Sequence, residues 1–173
     1  MARPSNKELI LDTFERILLT EGPASATLDA VAEQAGVSKG GLIYHFPSKS
    51  DLLASFGQRV LERIDAATEQ APADPEQVIR WYLTYEPSDA VEDELWRSLI
   101  AAMHGADEGL QAVVHEACER YARPLEVLDP SLAHHVRLVG DGLFFHALLR
   151  TPPLPAVELE RIVAQLTEQA LDR

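Results

Sequence analysis

Apolar side chains recur along the chain at the spacing of α-helices rather than of strands. Ile10, Phe14 and Ile17 fall on one face of a helix near the start, and further stripes follow. No sustained alternation of apolar and polar residues, which would indicate a strand, interrupts them. The breaks between stripes predict an all-α fold of about nine helices, at residues 5–21, 28–35, 38–45, 48–70, 75–86, 89–104, 107–127, 130–150 and 155–171.

Composition places the chain among soluble globular proteins with a substantial core. It has 173 residues, 46% of them hydrophobic and 25% charged, and no apolar run reaches the roughly 18 residues of a membrane helix. The lone cysteine, Cys118, cannot form an internal disulfide, which is typical of a reducing compartment. We therefore expect a cytoplasmic protein without a signal peptide or membrane segment.

The formal net charge of −13 is unevenly distributed. Residues 1–59 hold six basic and seven acidic side chains, whereas residues 60–173 hold nine basic and twenty-one acidic ones. An acidic body repels a nucleic-acid duplex, but a near-neutral N-terminal third can present a small cationic face to one. The asymmetry indicates two parts with different tasks.

Residues 27–46 have the pattern of two short helices around a tight turn. Gly36 falls where the chain must take a left-handed conformation, Ala32 is small where the helices cross, and Ser38 can cap the second helix. This pattern is typical of a helix-turn-helix, whose second helix enters the major groove of DNA. Lys39, at the start of that helix, can reach guanine acceptors or phosphate.

The neighbouring residues also have the chemistry of DNA contacts. Gly40 and Gly41 let the backbone approach base edges, while Tyr44 and His45 offer donors to phosphate oxygens. Lys49 lies in the first turn of the next helix, where its ammonium group and the helix amides form an anion site. A coincidental helix pair is the alternative interpretation of this stretch.

The segment 27–53, with Gly40-Gly41-Leu42-Ile43-Tyr44-His45-Phe46 at its centre, resembles the signature of TetR-type transcriptional repressors. The resemblance extends back through the predicted helix at 5–21. It implies a homodimer that binds double-stranded operator DNA, and a helical C-terminal domain that dimerises and holds a small-molecule effector. Gly41 stands where family members often carry a larger side chain that reads sequence. Together with Gly41, the DNA-binding residues that we expect are Thr27, Ser38, Lys39, Gly40, Tyr44, His45 and Lys49.

Two C-terminal segments have the pattern of a subunit interface. The segment 130–150 is apolar on two faces, and Gly140 and Gly142 within it indicate close packing. The helices at 130–150 and 155–171 from each of two subunits can form a four-helix interface, and a purely internal core is the alternative. The residues predicted to dimerise are Val136, Val139, Gly140, Leu143, Ala147, Leu159, Ile162 and Leu166.

Aromatic side chains in the C-terminal part are candidates for an effector pocket. Trp81 and Tyr85 are spaced by one helical turn and can line one cavity, although aromatic residues at this spacing more often form plain core. The acidic balance favours a cationic ligand, and a solvated acidic surface is the alternative. The predicted pocket residues are Trp81, Tyr85, Trp96, Met103, Tyr121, Phe144 and His146.

Motifs of enzymes and metal sites are missing from the sequence. His115 and Cys118 share one helix face, but no further cysteine or spaced histidine pair completes a tetrahedral set. No nucleophile elbow, phosphate loop or dinucleotide motif occurs. We therefore expect neither enzyme activity nor a metal or other cofactor.

Together these features predict a ligand-responsive repressor that binds a palindromic operator as a homodimer and is released by a small-molecule effector. Residues 1–47 are expected to form the DNA-binding domain and residues 48–173 the regulatory and dimerisation domain, with the helix at 48–70 as a connecting strut. Two alternatives stay open. One is an activator that responds to no small molecule, and the other is a helical protein–protein interaction module that no longer binds DNA.

Overall fold

The computed structural model describes residues 5–84, 108–149 and 151–171. No strand occurs within these ranges, and the predicted all-α fold is confirmed. The predicted helix at 89–104 lies outside the described residues. A 3₁₀-helix, Arg123–Val127, joins the sixth and seventh of the described α-helices. These helices are α1 (Asn6–Glu21), α2 (Leu28–Ala35), α3 (Lys39–His45), α4 (Lys49–Thr68), α5 (Pro75–Leu83), α6 (Glu108–Ala122), α7 (Pro130–Leu148) and α8 (Ala156–Leu171).

Side-chain caps begin several of these helices. The Ser48 hydroxyl accepts a hydrogen bond from the Asp51 amide at 3.1 Å and donates one to the Asp51 carboxylate at 2.6 Å. Asp74 precedes Pro75 and accepts from the Gln77 amide at 3.0 Å. Each cap satisfies an amide that has no partner within its helix, which is why the helix begins at that residue.

The predicted helix at 107–127 ends earlier than the apolar pattern indicates. Pro124 has no N–H to donate to the preceding turn, so the α-helix stops at Ala122 and the chain continues as the 3₁₀-helix. Within the described residues, no helix combines the length and apolar character that crossing a membrane requires.

The chain divides into two compact units, and the first contains α1, α2, α3, residues 49–63 of α4 and residues 108–117 of α6. Phe14 of α1 and Phe56 of α4 form the centre of its core, with ring centroids 5.3 Å apart in an edge-to-face arrangement. Val31 of α2 and Leu42 of α3 are fully buried against them. The two short helices are therefore held by apolar packing in addition to their caps.

The second unit contains residues 64–84, 118–149 and 151–171 among those described. Val78 and Ile79 of α5, Val136 of α7 and Val163 of α8 are buried together in its core. A Cβ added at Gly140 would lie 2.4 Å from Cε1 of Tyr82, so α7 and α5 approach closely at this glycine. The boundary predicted at residue 47 and the strut role of the helix at 48–70 stay predictions.

Candidate nucleic-acid interface

A tight turn between α2 and α3 sets the geometry of the candidate interface. Gly36 has φ +67° and ψ +27°, a left-handed conformation that side chains disfavour, and its amide donates to the Glu33 carbonyl at 3.1 Å. The Val37 amide then donates to the Ala32 carbonyl at 3.0 Å. This closes α2 and directs α3 away from it, as the sequence predicts.

Thr27 and Ser38 act as the N-caps of the two helices. The Thr27 hydroxyl accepts from the Ala30 amide at 3.2 Å, and the Ser38 hydroxyl accepts from the Gly41 amide at 3.0 Å. Both residues are exposed. These two predicted DNA contacts therefore also fix where α2 and α3 begin.

The two faces of α3 differ sharply in exposure. Leu42 and the following Phe46 are buried in the first core, whereas Lys39 and Gly40 are exposed. Tyr44 is 84% exposed, so it belongs to the outer face and not to the core. A short helix with one face buried and a basic, aromatic outer face fits the major groove of DNA.

His45 and Lys49 continue this outer surface. The His45 ring is half-buried and lies edge-to-face against Tyr44, with centroids 5.2 Å apart. Lys49 is exposed in the first turn of α4, where unpaired amides favour anions. Gly41 is half-buried, and a Cβ there would lie 3.2 Å from the Ser38 hydroxyl oxygen.

Lys39 has a partner that the sequence pattern does not reveal. Its ammonium nitrogen lies 2.7 Å from a carboxylate oxygen of Asp29, near the start of α2. Both side chains are exposed, and exposed ion pairs contribute about 0–1 kcal/mol, so DNA can compete for the lysine. Asp29 therefore limits the positive charge of this surface without removing it. No fixed spacing signals such a pair, because it crosses a turn.

A cluster of charged residues joins α1 to α4. Glu15 is buried, and its carboxylate accepts from the Arg63 guanidinium at 2.6 Å and from Arg59 at 3.4 Å. Arg59 also donates to Asp12 at 2.7 Å and forms an ion pair with Glu8. The sequence carries a signal for this cluster, since acidic residues recur on one face of α1 and two arginines are one turn apart on α4. Sequence reasoning nevertheless missed it.

The predicted pocket residues fall into three groups. Trp81 stacks on Tyr121 with ring centroids 5.5 Å apart, so the structure brings these two together. Phe144 is half-buried, and His146 is exposed with its Nδ1 2.8 Å from the Thr151 hydroxyl. The remaining candidates lie outside the described residues: Tyr85, Trp96 and Met103.

A cleft of about 300 Å³ lies elsewhere in the second unit. It is lined by residues of both signs of charge, including Glu119, Arg123, Glu126 and Arg137. Neither Trp81 nor any other predicted pocket residue is among its lining residues. The part of the chain that the structure describes holds no cluster of three or more potential metal ligands.

The predicted dimer stripe packs largely within the second unit itself. Val136 and Leu166 are buried in its core, and Gly140 meets the ring of Tyr82. Four further members are half-buried against the same core: Val139, Leu143, Leu159 and Ile162. Ala147 is exposed.

The opposite face of α7 is exposed within the part of the chain that the structure describes. Leu138 is 70% exposed, Phe145 50% and Leu149 68%, and the exposed Gly142 lies between them on the same stripe. These four residues are called the outer stripe below. The sequence shows both apolar faces of the helix, but only the packing of α5 and α8 decides which of them is internal.

A tight turn between two capped helices, a second helix with one exposed face and an all-α body together define a helix-turn-helix regulator of transcription. Residues 10–56 match the model of bacterial regulatory proteins of the tetR family, and residues 76–171 match the tetracyclin repressor-like C-terminal domain. The chain belongs to the TetR family. This is a family of transcriptional regulators and not of enzymes, as the sequence predicts.

Similar proteins support this membership over most of the chain. The HTH-type transcriptional regulator EthR of Mycolicibacterium smegmatis is 28% identical over 96% of this chain and 86% of its own. The regulator AcrR of Shigella flexneri is 30% identical over 68% of this chain and 60% of its own.

Solved structures have the same fold. A TetR-family member from Streptomyces coelicolor A3 superposes with a TM-score of 0.73 at 25% identity, covering 94% of this chain and 98% of that one. The multidrug binding protein EbrR complexed with malachite green gives 0.73 at 24% identity, covering 95% and 98%.

Proposed function

We propose that the protein is a repressor that binds a palindromic operator as a homodimer and is released by a small aromatic cation. The observation that carries the DNA-binding part is the outer face of α3, where Lys39, Gly40 and Tyr44 are exposed above the buried Leu42. Two such helices in one dimer would enter successive major grooves about one helical turn apart. Affinity comes mainly from phosphate contacts, including those of Lys49, and the acidic remainder of the chain keeps binding to random DNA weak.

Selection from a random duplex library at two salt concentrations tests this part. We expect an inverted repeat. Lys39→Ala should reduce both affinity and base preference. Lys49→Ala should weaken binding to all sequences alike, and the slope of log affinity against log salt concentration should become shallower by about 1 for each subunit. Arg161→Ala, an exposed arginine of α8, is the matched control and should change neither. Equal losses of Lys39→Ala on operator and random DNA would contradict the base-reading role, and no enrichment would favour the interaction-module alternative.

The outer stripe of α7 is the surface that we assign to the dimer. Its exposed leucines and phenylalanine form a continuous apolar row, and such rows mark interaction surfaces. A two-fold axis lets the same stripe pack against its copy. Leu138→Glu should therefore lower the dimer fraction in analytical ultracentrifugation. Val127→Glu, at an exposed valine away from the stripe, should leave it unchanged, and an equal effect of both variants would argue against this interface.

An aromatic cation is the effector class that three observations favour. Trp81 and Tyr121 offer stacked rings, which attract cations through their π faces. Residues 60–173 carry twenty-one acidic against nine basic side chains. EbrR, which shares the fold, has been crystallised with ethidium, malachite green and proflavin. An effector releases DNA only to the extent that it binds the DNA-incompetent state more tightly.

Malachite green is a direct probe of this part of the proposal. We expect it to release the operator from the wild-type protein in fluorescence anisotropy. Trp81→Leu should require a higher dye concentration and keep its operator affinity. Binding of the dye without release would favour the alternative of a regulator that responds to no small molecule, and an unchanged response of Trp81→Leu would move the site away from this cluster.

A further inference from the structure

Ile43 is an exposed aliphatic side chain on the outer face of α3. Its side chain is 41% exposed, although the preceding residue, Leu42, is fully buried. Exposed large apolar or aromatic residues are few in the described part of the first unit: Leu9, Ile43 and Tyr44. Two of these three belong to a helix of only seven residues. An isolated surface isoleucine needs no explanation, but this one lies on the surface that the proposed function places in the major groove.

The register of α3 puts Ile43 beside the residue expected to read a base. Lys39 lies four positions earlier and Gly40 three, so all three share one side of the helix, and the Cβ atoms of Lys39 and Ile43 are about 5–6 Å apart. A Cβ added at Gly40 would meet no atom of residues 5–84, 108–149 or 151–171 within 4 Å. Because Gly40 has no side chain to hold the helix away from the bases, the helix can approach the base edges until Ile43 reaches them.

An aliphatic side chain recognises one feature of the major groove. Thymine presents its C5-methyl group there, whereas the other groups that base pairs display in this groove are hydrogen-bond donors and acceptors. Burying a methyl group against isoleucine is favourable, and placing a polar base edge there leaves that edge without a partner. Stacked bases rise by about 3.4 Å per step, so a side chain 5–6 Å along the helix meets a base one or two steps away.

We propose that Ile43 is a specificity-determining residue that selects thymine through its methyl group, one or two base steps from the base pair read by Lys39. The proposal rests on the proposed function, since it requires α3 to enter the major groove. It adds a base-reading side chain to a helix in which Gly40 and Gly41 have none.

Replacement of thymine by deoxyuridine in the selected operator tests the proposal. This exchange removes only the methyl group and leaves every hydrogen-bonding atom in place. We expect about a fourfold loss of wild-type affinity when one thymine of a single half-site is exchanged, and about a sixteenfold loss when the same thymine is exchanged in both half-sites. Ile43→Ala should bind both duplexes equally, whereas Ile43→Val should keep part of the preference. Leu9→Ala, at another exposed aliphatic residue of the same unit, should keep all of it.

The outcomes separate this inference from the proposed function. Specific operator binding that no deoxyuridine exchange weakens would overturn the role of Ile43 and leave the repressor proposal intact. A selected half-site without thymine, or equal sensitivity of wild type and Ile43→Ala at every thymine, would do the same. The absence of any enriched sequence would overturn both.

Discussion

Two glycines of α7 allow a matched test of how the second unit packs. At Gly140, an added Cβ would lie 2.4 Å from Cε1 and 2.7 Å from Cδ1 of the Tyr82 ring, whereas at Gly142 it would meet no atom of the described residues within 4 Å. Carbon atoms prefer separations of about 3.5–4.0 Å, so Gly140→Ala must displace a buried ring by roughly 1 Å. Overpacking of this kind costs about 1–3 kcal/mol.

The comparison of the two alanine variants removes the effect of helix propensity. Alanine stabilises a helix interior by about 0.8–1 kcal/mol relative to glycine, and this gain applies at both positions. Gly142→Ala should therefore be as stable as the wild type or more stable. Gly140→Ala should fall below Gly142→Ala by about 1–3 kcal/mol, or roughly 2–12 °C in melting temperature.

Thermal and urea unfolding at one fixed protein concentration measure this difference, because dimerisation makes apparent stability depend on concentration. Far-UV circular dichroism reports the unfolding of both variants. Tyr82→Leu in the Gly140→Ala background should restore part of the loss, since it removes the ring that the new methyl group meets. If Gly140→Ala proves as stable as Gly142→Ala, the close approach of α7 to Tyr82 is refuted.

Three further substitutions probe charges and burial. Asp29→Asn should raise affinity for the operator by about two- to fivefold, and for random duplex by less, in anisotropy titrations, because it releases the base-reading Lys39 from an exposed pair; a loss of affinity would instead indicate that Asp29 itself contacts DNA. Glu15→Gln should lower the free energy of unfolding in urea by about 1–3 kcal/mol, because it leaves two arginines without their buried partner, and an unchanged urea midpoint would contradict this. Burial, reinforced by a nearby carboxylate, raises the pKa of Tyr82 above its usual value of about 10, so its contribution to stability is complete below that pH and is lost as the pH rises further. Tyr82→Phe should therefore reduce the alkaline decline in stability, whereas Tyr44→Phe, at an exposed tyrosine, should not.

The helices α2 and α3 and the turn between them could be predicted because their signals are local. Ser38 and Thr27 cap the helices that follow them, and Gly36 takes the left-handed conformation that the turn requires. Each signal depends on a few neighbouring residues, and hydrogen bonds within one turn satisfy it. The burial of Leu42 and the exposure of its neighbours follow from the helical period of α3.

Contacts between distant segments could not be predicted in the same way. The pair of Lys39 with Asp29 and that of Arg63 with Glu15 join different helices, and the spacing of such residues along the chain is not fixed by their geometry. The two apolar faces of α7 present a related difficulty. Either face satisfies the periodic pattern, and the approach of Tyr82 to Gly140 selects the internal one.

The division of α3 into a buried and an exposed face has a consequence for how its DNA target can change. Stability of the first unit depends on the buried side chains, the caps and the charged cluster between α1 and α4, and residues 40, 43 and 44 contribute a side chain to none of these. Residues 40, 43 and 44 can therefore be exchanged with little effect on folding, since such surface substitutions usually change stability by less than about 0.5 kcal/mol. New operator preferences are then accessible by single substitutions without compensating changes elsewhere, both to natural divergence and to a library that randomises these three positions.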